Sequence, residues 1–369
     1  MFIDAMGLIM ADTKRISLGE LSKPRALAAV PFGGRYRIVD FILSGLVNSG
    51  VKSVALIAQN KYMSLMDHLG TGAPWDLDRK SYGLSILPPH VNAEFAGNPD
   101  SDELWGMLNF VRQSPHKYVI IVHSNVVFNM TFNDIIKEHI KSDADVTVMF
   151  NRDGNKGASP NYIFEVDRKG YLKELFLDPE KPKSNRASMG VMVLGKEKMV
   201  DILTEAIARE EKNFDLRLFL RHSDPLKIKT YGYNGLAFRI QNVQTYFNAS
   251  MELLNEKTRK ELFWNGIPIF TKVKDEAPTL FSDTANVSNS IISDGCRIMG
   301  SVENSILFRG ITISEKSRVK NSIIMQDVLI SDHCELENVI VDKDSVIRPG
   351  MKLVGHKDYP VVIGKGAIV

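Results

Sequence analysis

The sequence predicts an α/β domain of three layers followed by a parallel β-helix of triangular cross-section. In the first two thirds of the chain, short apolar segments alternate with segments of helical periodicity, which is typical of a sheet covered by helices. Beyond about residue 285, a short motif that begins with Asn recurs at intervals of 15, 17 and 17 residues. The length of 369 residues is ample for two domains.

The elements of the first domain follow from the period of the apolar residues. Short apolar segments predict strands, at Met1–Met10, Val51–Ala58, Tyr118–Val122 and Asp145–Phe150. Apolar residues at helical spacing predict helices, at Asn133–Ser142, Lys196–Lys212 and Val243–Phe263.

A hairpin and a linker complete this part of the chain. Two strand-like segments flank Gly170, at Tyr162–Val166 and Tyr171–Leu175, and predict a hairpin. Pro268 and Pro278 interrupt the segment that follows the last helix. We therefore expect an α/β domain over residues 1–255, a linker over 256–285 and a β-helix over 286–369.

The repeats of the second domain share an Asn and a later Ile. The repeats begin at Asn289, Asn304, Asn321 and Asn338, and nine residues after each Asn come Ile298, Ile313, Ile330 and Ile347. Apolar positions about every six residues suit a coil with three faces, each burying one aliphatic side chain. A β-sandwich with similar turn spacing is the alternative.

Composition and charge exclude several classes of protein. Lys plus Arg number 46 and Asp plus Glu 44, so a net charge of +2 indicates neither nucleic acid nor a membrane surface as a partner. The two cysteines suit a reducing compartment. The apolar start contains Asp4 and no basic segment, which favours a first buried strand over a signal peptide. We expect a soluble, cytoplasmic protein.

The tripeptide His123-Ser-Asn125 follows the strand at Tyr118–Val122, and catalytic groups of open α/β sheets gather at such carboxyl ends. An enzyme of phosphoryl or nucleotidyl transfer would place a carboxylate for Mg²⁺ there. Asn125 is neutral, and no acidic residue lies between Val119 and Asn133. The scaffold of a nucleotide-handling enzyme is predicted without its metal ligand.

Longer motifs connect the chain to a known family. They are Pro31–Phe41, Leu43–Ser44, Val47–Gly50, Glu180–Pro182 and Ala187–Gly190. With these motifs, the chain resembles the ADP-glucose pyrophosphorylase family along its whole length, and within it the GlgD-type subunit that accompanies a catalytic subunit in some Gram-positive bacteria. The resemblance implies a Rossmann-like nucleotidyltransferase domain and a left-handed β-helix. It also implies the chemistry of ATP, glucose 1-phosphate and Mg²⁺ that yields ADP-glucose and pyrophosphate for glycogen synthesis.

The nucleotide loop departs from the family pattern. The family's Gly-rich loop matches Met10–Arg15, which contains no glycine. Backbone N–H groups of such a loop approach the phosphates, and Asp12 would repel them. Arg15 matches the loop arginine of the family, whereas Leu27 replaces its lysine.

The metal positions depart as well. By resemblance, Asn125 and Arg239 stand where the family has metal-binding aspartates, and in Pro99–Asp102 only Asp102 matches the family pattern. A guanidinium in place of a carboxylate would repel a dication. We therefore expect no intact catalytic residue and no metal bound by this chain, with a loss of rate of about 10⁴-fold.

The sugar-phosphate side matches better. Glu180 and Lys181 match the family's pair for the sugar hydroxyls and the phosphate, and Ser188 lies in an intact segment on the sugar side. A solvated turn is the alternative, since this segment also has turn chemistry. Tyr162 departs from the pattern, because it stands where a family glycine is expected.

The resemblance implies a regulatory subunit that modulates a catalytic homologue, in a hetero-oligomer that we expect to be a tetramer. Alone, the chain would form a homo-oligomer, and glucose 1-phosphate is a candidate ligand. We expect no cofactor on this chain and Mg²⁺ on the catalytic partner. Two alternatives stay open, namely an active enzyme with rearranged ligands such as Asp12 or Asp102, and a stand-alone sugar-phosphate sensor or scaffold.

Overall fold

The computed structural model describes residues 4–12, 16–58, 61–87, 102–152, 162–180, 184–211 and 213–369, with the side chain of Asp102 outside the description. Within these ranges, an α/β domain precedes a β-helix. The helices are α1 (Ile38–Asn48), α2 (Met63–Leu69), α3 (Asp102–Gln113), α4 (Asn133–Ser142), α5 (Lys196–Ala208), α6 (Arg217–Arg221), α7 (Val243–Met251) and α8 (Glu256–Phe263).

Nine strands of the described chain form the central sheet. They are β1 (Ala5–Met10), β4 (Ser53–Ile57), β5 (Gly83–Leu87), β6 (Tyr118–His123), β8 (Val146–Asn151), β9 (Tyr162–Val166), β10 (Leu172–Leu177), β11 (Ala187–Gly195) and β12 (Ile228–Tyr233). Two short pairs accompany the sheet, β2 (Pro31–Phe32) with β3 (Tyr36–Arg37) and β7 (Val126–Phe128) with β13 (Ala237–Arg239).

The central strand β6 has a parallel neighbour on one side and an antiparallel neighbour on the other. It pairs with β1 in parallel and with β11 in antiparallel orientation, so the expectation of a parallel sheet around it is correct on one side only. The reason is β11, which inserts between β6 and β8. Helices α1 and α4 cover one face of the sheet, and α3 and α5 cover the other, which confirms the three layers.

Two predicted helices differ from the observed ones, one at its carboxyl end and one by an interruption in its middle. The helix predicted for Lys196–Lys212 ends at Ala208, because Glu210 adopts a left-handed φ of 57° and the N–H of Glu211 turns back to the carbonyl of Ala206. The helix predicted for Val243–Phe263 is divided into α7 and α8. Asn255 starts α8, since its side chain accepts a hydrogen bond from the N–H of Lys257.

The β-helix consists of three sheets, each of five parallel strands. One contains β14 (Leu280–Phe281), β17 (Arg297–Ile298), β20 (Thr312–Ile313), β23 (Leu329–Ile330) and β26 (Val346–Ile347). The next contains β15 (Asn286–Ser288), β18 (Ser301–Glu303), β21 (Arg318–Lys320), β24 (Glu335–Glu337) and β27 (Lys352–Val354). The last contains β16 (Ile291–Ile292), β19 (Ile306–Leu307), β22 (Ile323–Ile324), β25 (Val339–Val341) and β28 (Val361–Ile363).

The residues that revealed the repeat have distinct physical roles. The four Asn residues all occupy one corner with φ between 40° and 53°, a left-handed conformation that Asn tolerates better than most residues. The Ile nine positions after each Asn is fully buried in all four repeats. A parallel, left-handed β-helix is confirmed, and the β-sandwich alternative is wrong.

The segment between the two domains is folded onto the first. Residues 256–285, expected to be a linker, contain α8 and the first β-helix strand, β14. Asn129 donates hydrogen bonds to the carbonyls of Leu262 and Ile267, and the hydroxyl of Thr271 donates to the carboxylate of Asp40 in α1. No helix in the described ranges is long and apolar enough to traverse a bilayer.

A buried ion pair joins the two domains. Both terminal nitrogens of Arg25 lie 2.9 Å from the carboxylate oxygens of Asp342, which follows β25, and the two side chains are 3% and 0% exposed. Removing one partner of such a pair leaves the other as an uncompensated buried charge, which costs about 3–5 kcal/mol.

Arg25→Met should therefore lower the free energy of unfolding by about 3 kcal/mol or more. Denaturant titration of the purified chain measures this loss. Lys23→Met is the matched control, because Lys23 pairs with Glu20 at an exposed site and should contribute less than about 1 kcal/mol. The double variant Arg25→Met/Asp342→Asn should lose less than Arg25→Met, and an equal or larger loss would contradict this account.

Candidate functional site

A cavity of about 390 Å³ opens where β1 and β6 end. Met10 and His123, the last residues of these strands, are register partners in the sheet and both line the cavity. The carboxyl ends of neighbouring parallel strands are where open α/β sheets place their ligands. The cavity therefore occupies the position that the sequence predicted for the site.

Asn125 and Arg239 lie on the same wall of this cavity although they are far apart in sequence. The carbonyl of Asn125 accepts a hydrogen bond from the N–H of Ile240, and Arg239 is the register partner of Val126 in the β7 and β13 pair. The side chain of Asn125 is 8% exposed. The backbone ladder thus brings together two positions that, by resemblance, would hold metal ligands.

Two nitrogens of the Arg239 guanidinium are buried without a hydrogen-bond partner, although the residue as a whole is half-buried. Its Nε and Nη1 atoms are inaccessible and make no hydrogen bond to any described residue. Burial lowers the pKa of Arg239 to about 10, against a weak opposing effect of the exposed Asp178, so the group stays cationic at neutral pH. A fixed positive charge at this place does not fit a divalent cation.

The other side chains in the described ranges that could bind a metal ion do not form a metal site either. Within the described ranges, no three His, Cys, Asp or Glu side chains cluster closely enough to hold a metal ion. Mg²⁺ prefers hard oxygen ligands, and the wall of the cavity near Arg239 offers the amide of Asn125 instead of a carboxylate. The lack of a carboxylate at Asn125 and the positive charge of Arg239 are therefore both unfavourable for a divalent metal ion at this wall.

Asp12 lines the cavity and is hydrogen-bonded to the backbone. Its carboxylate accepts a hydrogen bond of 2.9 Å from the N–H of Leu27. Burial raises the pKa of Asp12 to about 6, while the bond from Leu27 and the charge of Lys61 oppose that rise. The side chain of Leu27 is 4% exposed and packs in the apolar core. Arg15 lies outside the described residues.

The wall of the cavity also contains Ser188 and a closely packed glycine. The hydroxyl of Ser188 accepts a hydrogen bond from the N–H of Gly190. Gly190 has a φ of +66°, and a Cβ there would lie 2.8 Å from the Cβ of His123, so only glycine fits. Burial lowers the pKa of His123 to about 4, so this imidazole is neutral.

The other residues that the sequence nominated are not on the described cavity wall. Glu180 is exposed after β10 and is not among the described lining residues. Lys181 and the side chain of Asp102 lie outside the described part of the chain, although the backbone of Asp102 begins α3.

Sequence reasoning missed Asp215, which lines the cavity together with Tyr162. The hydroxyl of Tyr162 lies 2.6 and 2.8 Å from the two carboxylate oxygens of Asp215, which also accept hydrogen bonds from the backbone and guanidinium of Arg217. Burial opposes ionisation of Asp215, but these bonds outweigh it and hold its pKa below the ordinary value. Tyr162 and Asp215 are 53 positions apart, and no motif in the sequence links them.

A second cavity, of about 310 Å³, lies between the two domains and is strongly basic. Its cationic lining comprises Arg35, Arg37, Lys272, Lys274, Arg309 and Lys343. Burial together with the neighbouring Arg37 and Arg25 lowers the pKa of Lys343 to about 8. We refer to this cavity as the interdomain cleft.

Two family models match the chain, and each covers one of the observed domains. The model described as nucleotidyl transferase matches residues 6–218, and the model described as GlmU-like, C-terminal hexapeptide matches residues 277–358. The first match covers more than half of the chain.

Curated relatives match along most of their length. The chain is 36% identical to the glycogen biosynthesis protein GlgD of Bacillus subtilis (strain 168), over 98% of this chain and 96% of that protein. It is 31% identical to the glucose-1-phosphate adenylyltransferase of the same strain, over 85% of this chain and 84% of that protein. The corresponding protein of Clostridium acetobutylicum is also 31% identical, over 84% of this chain and 83% of that protein. With these matches across both domains, the chain belongs to the ADP-glucose pyrophosphorylase family and is related to its GlgD-type members.

Proposed function

We propose that this chain is a catalytically impaired, regulatory subunit of glucose-1-phosphate adenylyltransferase in glycogen biosynthesis. The observation that supports the proposal most directly is the guanidinium of Arg239, with two buried nitrogens, at a position where the family resemblance places a metal-binding aspartate. The reaction joins glucose 1-phosphate to the α-phosphate of ATP and releases pyrophosphate, and a metal ion spreads the charge of that leaving group.

The cost of the substitutions is large enough to abolish useful activity. At Arg239 the local charge changes from −1 to +1 relative to an aspartate, and at Asn125 a carboxylate becomes a neutral amide. Each 1.4 kcal/mol of lost transition-state stabilisation is about tenfold in rate, so a loss of several kcal/mol is a factor of about 10⁴. The nucleotide loop would add to this loss, because the Asp12 carboxylate lines the cavity and would repel phosphates, and Leu27 offers no cation.

The first alternative, an active enzyme with rearranged ligands, is weakened by the position of Asp12. The carboxylate of Asp12 already accepts a hydrogen bond from the backbone of Leu27. No other His, Cys, Asp or Glu cluster in the described residues completes a metal site around it. The second alternative, a stand-alone sugar-phosphate sensor, differs from our proposal only in lacking a catalytic partner.

The proposed partner is a catalytic homologue, and the assembly is a hetero-oligomer of tetramer size, with a homo-oligomer when the chain is alone. Homologous chains of the same fold present similar contact surfaces and can replace one another in a symmetric assembly. Modulation would require contacts that differ between the active and inactive states of the catalytic subunit. In this proposal Mg²⁺ acts on the catalytic subunit.

The purified chain alone, supplied with ATP, glucose 1-phosphate and Mg²⁺, should release pyrophosphate about 10⁴-fold more slowly than a catalytic homologue. A coupled pyrophosphate assay measures the two rates under identical conditions. A rate within tenfold of the homologue would support the enzyme with rearranged ligands and reject the impaired subunit.

Co-expression with the catalytic homologue should produce one species on gel filtration, with kinetics that differ from those of the homologue alone. The physical reason is that pairing changes the relative free energies of the partner's states. The matched control is the homologue expressed without this chain. Separate elution together with unchanged kinetics would defeat the subunit proposal and favour the stand-alone sensor.

The double variant Asn125→Asp/Arg239→Asp should acquire Mg²⁺-dependent stabilisation. Two carboxylates on one wall repel each other until a dication binds, so Mg²⁺ should raise the thermal midpoint of this variant but not that of the parent chain. Asn125→Asp/Arg239→Asn is the control, because it lacks the second acid. An equal Mg²⁺ effect on the parent would show that its existing ligands suffice.

A further inference from the structure

We propose that Asn234 is a site of spontaneous deamidation, a covalent modification that converts its side-chain amide into a carboxylate. Asn234 and Gly235 lie in the connection between β12 and β13. The sequence contains a second Asn-Gly pair, Asn265-Gly266, which follows α8. Because the two pairs have the same reacting groups, the hydrogen bonds around each pair decide which of them reacts.

The reaction joins the backbone nitrogen of Gly235 to the side-chain carbonyl carbon of Asn234. The nitrogen loses its proton to the solvent and attacks Cγ, and the side-chain amide nitrogen leaves as ammonia. Water then opens the five-membered succinimide ring at either of its carbonyls, which gives aspartate or isoaspartate. One water is consumed and one ammonia is released, with no change of oxidation state. Glycine in the second position favours the attack, because it has no Cβ and its backbone is flexible.

The first argument is that no other residue holds the reacting groups of this pair. The side chain of Asn234 is exposed and makes no hydrogen bond within the described part of the chain. The N–H of Gly235 donates to no acceptor among the described residues either. The nitrogen can therefore approach the amide carbon without first breaking a hydrogen bond.

The second argument is that the packing favours glycine at position 235. A Cβ there would lie 2.4 Å from the hydroxyl oxygen of Tyr233, so a side chain would displace this ring. The carbonyl of Gly235 accepts a hydrogen bond of 3.3 Å from Nδ2 of Asn151, and the N–H of Leu236 donates one of 2.9 Å to the carboxylate of Glu261. The fold thus retains the glycine that makes the pair reactive.

The third argument is that the amide of the other pair is held at both of its polar atoms. The Nδ2 of Asn265 donates to the carbonyl of Asn129 at 2.9 Å, and its Oδ1 accepts from Nδ2 of Asn129 and from the N–H of Ile267, each at 3.0 Å. Asn265 is exposed like Asn234, so access to water does not distinguish the two pairs. Rotation of the amide towards Gly266 would break these hydrogen bonds, and this cost slows the reaction.

The modification changes both the charge and the backbone of the connection between β12 and β13. A carboxylate replaces a neutral amide, so the formal net charge of the chain falls by one, from +2 to +1. In the isoaspartate product the main chain runs through the former side chain, which adds one methylene group to the connection. Ion exchange separates the products from the parent chain, and mass spectrometry detects the difference between an acid and an amide.

Incubation of the purified chain at mildly alkaline pH, followed by peptide mapping with mass spectrometry, tests the site. Aspartate and isoaspartate should accumulate at Asn234 about tenfold faster than at Asn265, or more, because the net free energy of one or two hydrogen bonds changes a rate by that factor. The rate at Asn234 should rise with pH, because the attacking nitrogen must lose its proton. Equal rates at the two pairs, or a faster reaction at Asn265, would overturn the proposal.

The same chain unfolded in guanidinium chloride separates the effect of structure from that of sequence. Without the folded contacts, Asn234 and Asn265 should react at similar rates, because both are followed by glycine. If the difference between them persists in the unfolded chain, the neighbouring residues cause it and the proposal is wrong. A folded chain that forms no product at Asn234, where the unfolded chain does, would also reject it.

Two variants test the assignment to these residues. Asn234→Gln would have to close a larger, six-membered ring, so the main acidic species should disappear while the rate at Asn265 stays unchanged. Asn129→Ala removes the hydrogen bond from its Nδ2 to Asn265 and should speed the reaction there about 2- to 10-fold, with no change at Asn234. If Asn129→Ala fails to fold, the comparison of the folded and unfolded parent chain decides. An undiminished acidic species in Asn234→Gln, or an unchanged rate at Asn265 in a folded Asn129→Ala, would contradict the proposal.

Discussion

The electrostatic character of the cavity depends on a positive charge that the fold holds beside the ends of β1 and β6. Arg239 is held there by the backbone ladder between β13 and β7, and two of its guanidinium nitrogens have no described partner. A positive charge repels a dication, so Arg239 is unfavourable for a divalent metal ion at this end of the sheet. Asn125, on the same wall, supports this effect, because an amide is a weaker ligand than a carboxylate.

The motif Pro31–Phe41 makes contacts that hold the fold together around this site. In the motif Pro31–Phe41, Gly34 has a φ of +85° and its carbonyl accepts a hydrogen bond from Ser293 of the β-helix. Asp40 in the same motif accepts hydrogen bonds from Thr271 of the connecting segment and contacts the ring nitrogen of His68. This motif therefore joins the two domains.

Local patterns predicted the β-helix and part of the first domain, but not α1, α2, α3 and α6 or the strands β5, β11 and β12. Helix α4 has the predicted bounds, and the repeated Asn and Ile residues predicted the β-helix because each coil reuses the same corner conformation and the same buried position. The helix boundaries were wrong where the backbone ends or starts a helix at a residue type that does not mark such a boundary strongly. Glu210 ends α5 in a left-handed conformation usually taken by glycine, and Asn255 starts a new helix inside a continuous amphipathic pattern.

The sequence by itself determined the two-domain architecture, the family and the identity of the altered residues, because motifs and periodicities are properties of neighbouring positions. Only the tertiary structure decided which groups surround those residues. It placed Asn125 and Arg239 on one wall, bonded Asp12 to Leu27, and brought Tyr162 to Asp215. Burial, counterions and hydrogen-bond partners are set by residues distant in sequence, and these determine whether a charged side chain binds a metal, an anion or the backbone.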